Sequence, residues 1–98
     1  MENKLDFYLE RDDLGYYKVS RDLNRLLGMG YYGKKFSEPD LYTLILDRER
    51  YLNSQLFKLK SDLVSDKKAD WELRDLYRRI YDIQSDINEL RWYLRLFF

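Results

Sequence analysis

From Leu73 to Phe97, apolar side chains recur at alternating steps of three and four residues: Leu73, Leu76, Ile80, Ile83, Ile87, Leu90, Leu94 and Phe97. This unbroken heptad seam predicts a long helix that must lay one stripe against another element. Upstream, Ser37-Glu38-Pro39-Asp40 reads as a helix start. Ser37 caps, proline sits in the first turn where its missing amide costs nothing, and Asp40 complements the helix dipole. Neither glycine nor proline interrupts the chain from there to Asp66. Leu41, Ile45, Leu52, Leu56, Leu59 and Leu63 form a second stripe, broken in its middle by Arg48 and Glu49 and widened by Leu44, Tyr51 and Phe57.

Between the two stripes, Ser65-Asp66-Lys67-Lys68-Ala69-Asp70 carries no apolar anchor. Its lysines suit a carboxyl end, Asp70 and Glu72 suit an amino end, and the apolar register slips by one residue across it. The pattern predicts an antiparallel helical hairpin with helices over about 37–66 and 70–98. One continuous helix over 38–98 is the alternative, since no residue in the stretch forbids it.

Ahead of the hairpin, Leu5, Phe7 and Leu9 alternate with polar or amphipathic residues and read as a half-buried strand. Tyr17 and Val19 form a second strand after the turn Asp12-Asp13-Leu14-Gly15, although Leu5, Tyr8 and Leu9 also fit helical spacing. Ser20 is placed to cap a two-turn helix over 21–27 with Leu23, Leu26 and Leu27 on one face. Gly28 suits the left-handed stop, and Met29 is the apolar residue that follows it. The expected fold is mainly α: a long antiparallel, coiled-coil-like helical hairpin carrying a small N-terminal β-hairpin plus a short helix. Residues 1–36 form the cap with a Gly/Tyr-rich loop, residues 37–98 the hairpin, and together they make one compact domain.

Off the seam, Trp92, Tyr93, Leu96 and Phe98 make the last turns apolar nearly all round. A bare two-helix hairpin cannot cover that end, and at this size a single core is only just adequate. A second layer is therefore expected. Its simplest source is a homodimer forming a four-helix bundle, and otherwise the N-terminal segment folds over.

Composition narrows the chemistry. Eighteen basic and eighteen acidic residues balance, so nucleic acid or acidic lipid would have to be met by a local patch. Without cysteine there are neither disulfides nor thiolate metal sites, which fits a cytoplasmic, intracellular chain. Without histidine the commonest general base and neutral metal ligand are missing, so no metal or cofactor is expected. No run approaches the roughly 18 apolar residues of a membrane span, and residues 1–15 show no secretory leader. A membrane partner is not expected. Ten tyrosines, several paired, suit protein interfaces or the boundary of a small core.

Gly28-Met29-Gly30-Tyr31-Tyr32-Gly33 satisfies G-x-G-x-x-G, and with Lys34 most of a P-loop. Lys35 stands where serine or threonine would bind magnesium, and a helix stop precedes the loop where a strand should. The better reading is a connector that presents Tyr31, Tyr32, Lys34, Lys35 and Phe36 to a partner.

Tyr-Lys-Val-Ser-Arg-Asp-Leu-Asn-Arg-Leu-Leu-Gly-Met at 17–29 resembles the first helix and turn of helix-turn-helix regulators of the MerR and excisionase type. That resemblance implies a recognition helix next in sequence, where this chain has Gly30 and Gly33. Lys18, Arg21, Arg25, Lys34 and Lys35 give the region a local excess of positive charge. They are the possible nucleic-acid contacts.

The expected function is a non-enzymatic protein–protein interaction or oligomerisation module whose partners are a second copy and another protein. In composition it is like the small adaptors and inhibitors carried by phages and other mobile elements. The alternative is a dimeric DNA-binding protein using the basic helix and loop at 18–35. No residue set reads as catalytic, for Glu49 inside an apolar stripe more often specifies helix pairing, here with Arg48, Arg78 or Arg79.

Overall fold

The computed structural model describes residues 4–65 and 67–97; Asp66 and Phe98 lie outside them. In chain order it comprises a 3-10 turn Lys4–Phe7, strand β1 Tyr17–Lys18, helix α1 Arg21–Leu26, strand β2 Lys35–Phe36, and the helices α2 Glu38–Ser65 and α3 Asp70–Arg95. The ends fall where local chemistry puts them. Ser20 Oγ accepts from the Leu23 N–H, and Ser37 Oγ accepts from the Asp40 N–H. After α1, the Gly28 N–H donates to Arg25 O and the Met29 N–H to Asn24 O, the paired bonds of a Schellman stop. Gly28 takes φ +90°, a backbone conformation that a Cβ disfavours.

β1 and β2 pair antiparallel, Tyr17 opposite Phe36 and Lys18 opposite Lys35. Helix α1 and the glycine-rich segment are thus the connection of this small hairpin. Val19 lengthens the ladder, donating to Lys34 O and accepting from the Gly33 N–H.

Leu5, Phe7 and Leu9 do not form the expected strand. The N–H groups of Tyr8 and Leu9 both donate to Leu5 O, closing a turn that buries Leu5 and Leu9 and turns Phe7 outward. The four-residue spacing prevails because it brings both leucines to the core. The turn at 12–15 does form, and the Asp12 carboxylate holds it. That carboxylate accepts from the Leu14 and Tyr16 N–H groups and pairs with Lys35 Nζ at 3.3 Å.

α2 and α3 pack against each other as a hairpin, with the chain extended at Ala69 before α3 begins. A single helix of some 60 residues would measure about 90 Å. The molecule's longest dimension is 56 Å, with the others 22 and 18 Å. Along α3 the seam is covered unevenly. Ile80, Ile87 and Leu90 are buried, while Leu73, Leu76, Ile83, Leu94 and Phe97 are half-buried.

Leu5, Leu9, Tyr17, Val19, Leu23, Leu26 and Leu27 join Leu41, Ile45, Leu52, Ile87, Leu90, Tyr93 and Leu96 in one core. The cap therefore covers the apolar end of α3, burying Tyr93 and Leu96 and setting the Tyr8 ring edge-on to Trp92 at 4.6 Å. The polar pair that interrupts the α2 stripe supplies its fastenings. Arg48 Nε donates to Leu26 O at 3.0 Å, giving the end of α1 a donor, and its guanidinium lies 5.0 Å from the centre of the Tyr51 ring. Glu49 Oε1 accepts from Arg91 Nε at 3.1 Å and from Asn53 Nδ2 at 2.7 Å. Its partner is Arg91, not the Arg48, Arg78 or Arg79 suggested by sequence, because the antiparallel register sets Glu49 beside the last turns of α3 and Arg79 lies twelve residues earlier on that helix.

Candidate functional site

The glycine-rich loop is clamped rather than free. Asn24 on α1 is buried, and its Oδ1 accepts from the Tyr31 N–H at 2.8 Å while Nδ2 approaches Met29 Sδ at 3.6 Å. Tyr31 and Phe36 turn toward the core, their rings 6.3 Å apart. Lys34 Nζ lies over the Tyr31 ring at 5.6 Å, Arg21 over Tyr32 at the same distance, and Lys35 is taken by Asp12. Of the five residues expected to face a partner, Tyr32, Lys34 and Lys35 are exposed, whereas Tyr31 and Phe36 also serve the core. Asn24 went unnoticed in the sequence. Its only signal is a polar residue on the leucine face of a short helix.

The basic residues divide as well. Arg25 reaches from α1 to Asp86 at 3.4 Å and Glu89 at 3.2 Å on α3, and with Lys35 held by Asp12 both have carboxylate partners. Lys18, Arg21 and Lys34 have no carboxylate partner among the described residues.

Beside the cap, the Tyr8, Trp92 and Tyr93 rings stand edge to face in succession, 4.6 and 5.0 Å between neighbours, at the wall of a cavity of about 470 Å³. Tyr93 has its hydroxyl pKa raised, first by burial and then by the nearby Asp22 and Glu89 carboxylates, with the Ser20 hydrogen bond and Arg25 opposing. Burial likewise raises Tyr17, whose hydroxyl donates to Asp6 Oδ1 at 2.9 Å. Asp12 is lowered, chiefly by the Tyr16 N–H. None of these groups is paired with a nucleophile, and no group of three or more acidic residues among the described ones could hold a metal ion. No helix among the described residues is long and apolar enough to cross a membrane.

The largest uncovered feature is the far half of the hairpin. The buried residues of α2 end at Leu52, and those of α3 begin at Ile80. Beyond these points the two helices form a bare arm in which Leu56, Leu59, Leu63, Leu73 and Leu76 are only half-buried. Large side chains stand out from it: Phe57 is 72% exposed, Val64 86%, Trp71 71% and Tyr77 61%, with Tyr81 at 73% just past Ile80. Exposed apolar residues are ordinary on a protein surface, and the cap too exposes Phe7, Leu14 and Met29; what sets the arm apart is that its seam leucines are also only half-buried. A two-helix arm without a third layer also lacks the burial that normally stabilises a bundle. Comparison with protein-family models, with curated proteins and with solved structures gave no match.

Proposed function

We propose that this chain is a non-enzymatic protein–protein interaction module, of the small adaptor or inhibitor kind, whose folded cap holds a helical arm out for a partner. The observation that carries this reading is the arm itself, with half-buried seam leucines and Phe57, Val64, Trp71, Tyr77 and Tyr81 exposed. Aromatic side chains give a rigid contact surface at low entropic cost and are enriched where binding energy concentrates. Because the cap already covers Tyr93 and Leu96, the need for company has moved from the carboxyl end to the arm. A second copy packed arm to arm would supply it in one way and another protein in another.

The test is site-specific photo-crosslinking in the native host from a probe placed at Tyr81, at Phe57, or at Tyr32 in the loop. Polypeptide adducts from the two arm positions support the reading. Their absence at both, with the chain folded and expressed, overturns it. DNA binding by Lys18, Arg21 and Lys34 is the second reading, favoured only by their lack of carboxylate partners among the described residues, and a mobility shift that weakens steeply with salt is its signature.

A further inference from the structure

The cavity beside the cap is walled by rings. Tyr8, just after the 3-10 turn, and Trp92 and Tyr93 near the end of α3 line it together with Ser20, Asp22 and Arg25 at α1 and Glu89 on α3. Tyr8 and Trp92 stand at 79° to each other and Trp92 and Tyr93 at 78°, so the three rings turn two successive near-right-angled corners. Tyr93 is fixed by burial, while Trp92 and Tyr8 remain open to solvent. At about 470 Å³ the space falls within the range of small-ligand sites.

The charge around these rings is negative. Asp22, Asp86 and Glu89 stand against one guanidinium, that of Arg25, which is engaged by Asp86 at 3.4 Å and Glu89 at 3.2 Å. Asp22 has no ion-pair partner among the described residues. The Tyr93 hydroxyl registers this field: burial is the first cause of its raised pKa, and the Asp22 and Glu89 carboxylates add to it against Ser20 and Arg25. The nearby cations Lys18 and Arg21 line a separate cleft that meets this one at Tyr8 and Ser20, and the Arg21 guanidinium is turned onto Tyr32.

We infer that this cavity binds a trimethylammonium group, carried either by a free small molecule of the choline type or by a trimethyl-lysine side chain. Ring faces attract a cation through their quadrupole, tryptophan most strongly, and a corner between perpendicular rings lets one cation meet two faces. Desolvation selects the quaternary ion over an ordinary ammonium or guanidinium. Moving against the rings, those ions give up hydrogen bonds to water that only the exposed carboxylate of Asp22 is free to replace. A trimethylammonium has no such bonds to lose. Its methyl groups bury apolar surface on the rings while its charge stays in the field of the carboxylates. The inference stands apart from the arm, since the cavity is lined by the cap and by α3 beyond Ile80.

The experiment is a fluorescence titration of Trp71→Phe, a change at an exposed arm position that leaves Trp92 as the sole tryptophan, at constant ionic strength. Choline is expected to change Trp92 emission saturably. The uncharged alcohol in which carbon replaces its ammonium nitrogen is expected to bind at least about fivefold more weakly. Tyr8→Leu, which keeps apolar cover over Trp92 but removes the ring, is expected to weaken choline about fivefold, and Tyr8→Phe to leave it unchanged. Asp22→Asn is expected to weaken it about threefold. Helical circular dichroism checks that each variant folds, and Asp22→Asn carries the test if Tyr8→Leu does not. Tighter binding of Nα-acetyl-trimethyl-lysine amide than of choline identifies a protein side chain as the source of the group, and the reverse order a free small molecule. No saturable response to either, equal binding of the uncharged alcohol or of Nα-acetyl-lysine amide, or choline binding indifferent to both Tyr8→Leu and Asp22→Asn overturns the proposal. None of these results bears on the arm crosslinks.

Discussion

Replacing Arg48 with methionine tests how the cap is fastened to the hairpin. Methionine keeps an unbranched stem against the neighbouring side chains but removes the guanidinium. Two interactions go with it. The first is the 3.0 Å bond from Nε to Leu26 O; Leu26 is fully buried, so its carbonyl would lose its donor without gaining water. A hydrogen bond from a charged group contributes about 1.5–3 kcal/mol, and stranding the buried acceptor has a cost of similar size already contained in that figure. The second is the 5.0 Å contact with Tyr51, which is half exposed and so contributes about 0.5–1 kcal/mol. Arg48→Met is therefore expected to lose about 2–4 kcal/mol, a large part of the 5–15 kcal/mol typical of a domain. Urea denaturation followed at 222 nm measures it, with a lowered midpoint at an unchanged slope. Near-ultraviolet dichroism of Trp92, which Tyr8 of the cap touches edge-on, reports whether the cap loosens first. A loss below about 0.5 kcal/mol would mean that the leucine contacts alone hold the cap and that this bond is incidental.

Gly28→Ala should destabilise more than Gly30→Ala in thermal melts. Both glycines have positive φ, but a Cβ at Gly28 would sit 3.1 Å from the Arg48 guanidinium, whereas the space at Gly30 is open. Leu90→Ala, at a fully buried position shared by cap and hairpin, is expected to cost about 2–5 kcal/mol, and Leu73→Ala in the half-buried arm less than half as much. Hydrogen exchange on the isolated chain should show the same gradient, with amides of α2 beyond Leu52 and of α3 before Ile80 exchanging first; uniform protection would contradict the picture of a bare arm. Tyr17 and Tyr93 have pKa values above the ordinary 10.0, so their contribution is fully present below that pH and is lost as pH rises through their folded values. Alkaline titration followed at 295 nm should lose its high-pH part in Tyr17→Phe, and that variant should flatten the decline in stability above pH 10.0.

The helices and their ends were legible in the sequence because their causes are local. The Leu73-to-Phe97 seam, the Ser20 and Ser37 caps, the Gly28 stop and the break between 66 and 70 depend on neighbours within a few residues. Those signals suffice for a hairpin helix over Glu38–Ser65 and another over Asp70–Arg95. Leu5, Phe7 and Leu9 were ambiguous because a period of two and a period of four both fit so short a run, and only the core's demand for Leu5 and Leu9 together selected the turn.

Long-range questions went the other way. That the amino-terminal segment would reach the apolar end of α3 could not be read from any pattern, since a second copy would bury the same surface; in the folded chain the cap packs on Tyr93 and Leu96. The loop's aromatic and basic residues looked like a contact surface in one dimension, yet Tyr31 and Phe36 pack inward and Lys35 meets Asp12. Conversely Tyr77 and Tyr81 are unremarkable in sequence and Phe57 reads there only as widening the α2 stripe, yet all three stand exposed on the hairpin. Periodicity determines what a helix must bury, but burial by a distant segment is a competition among surfaces, and its winner is decided by how the whole chain packs.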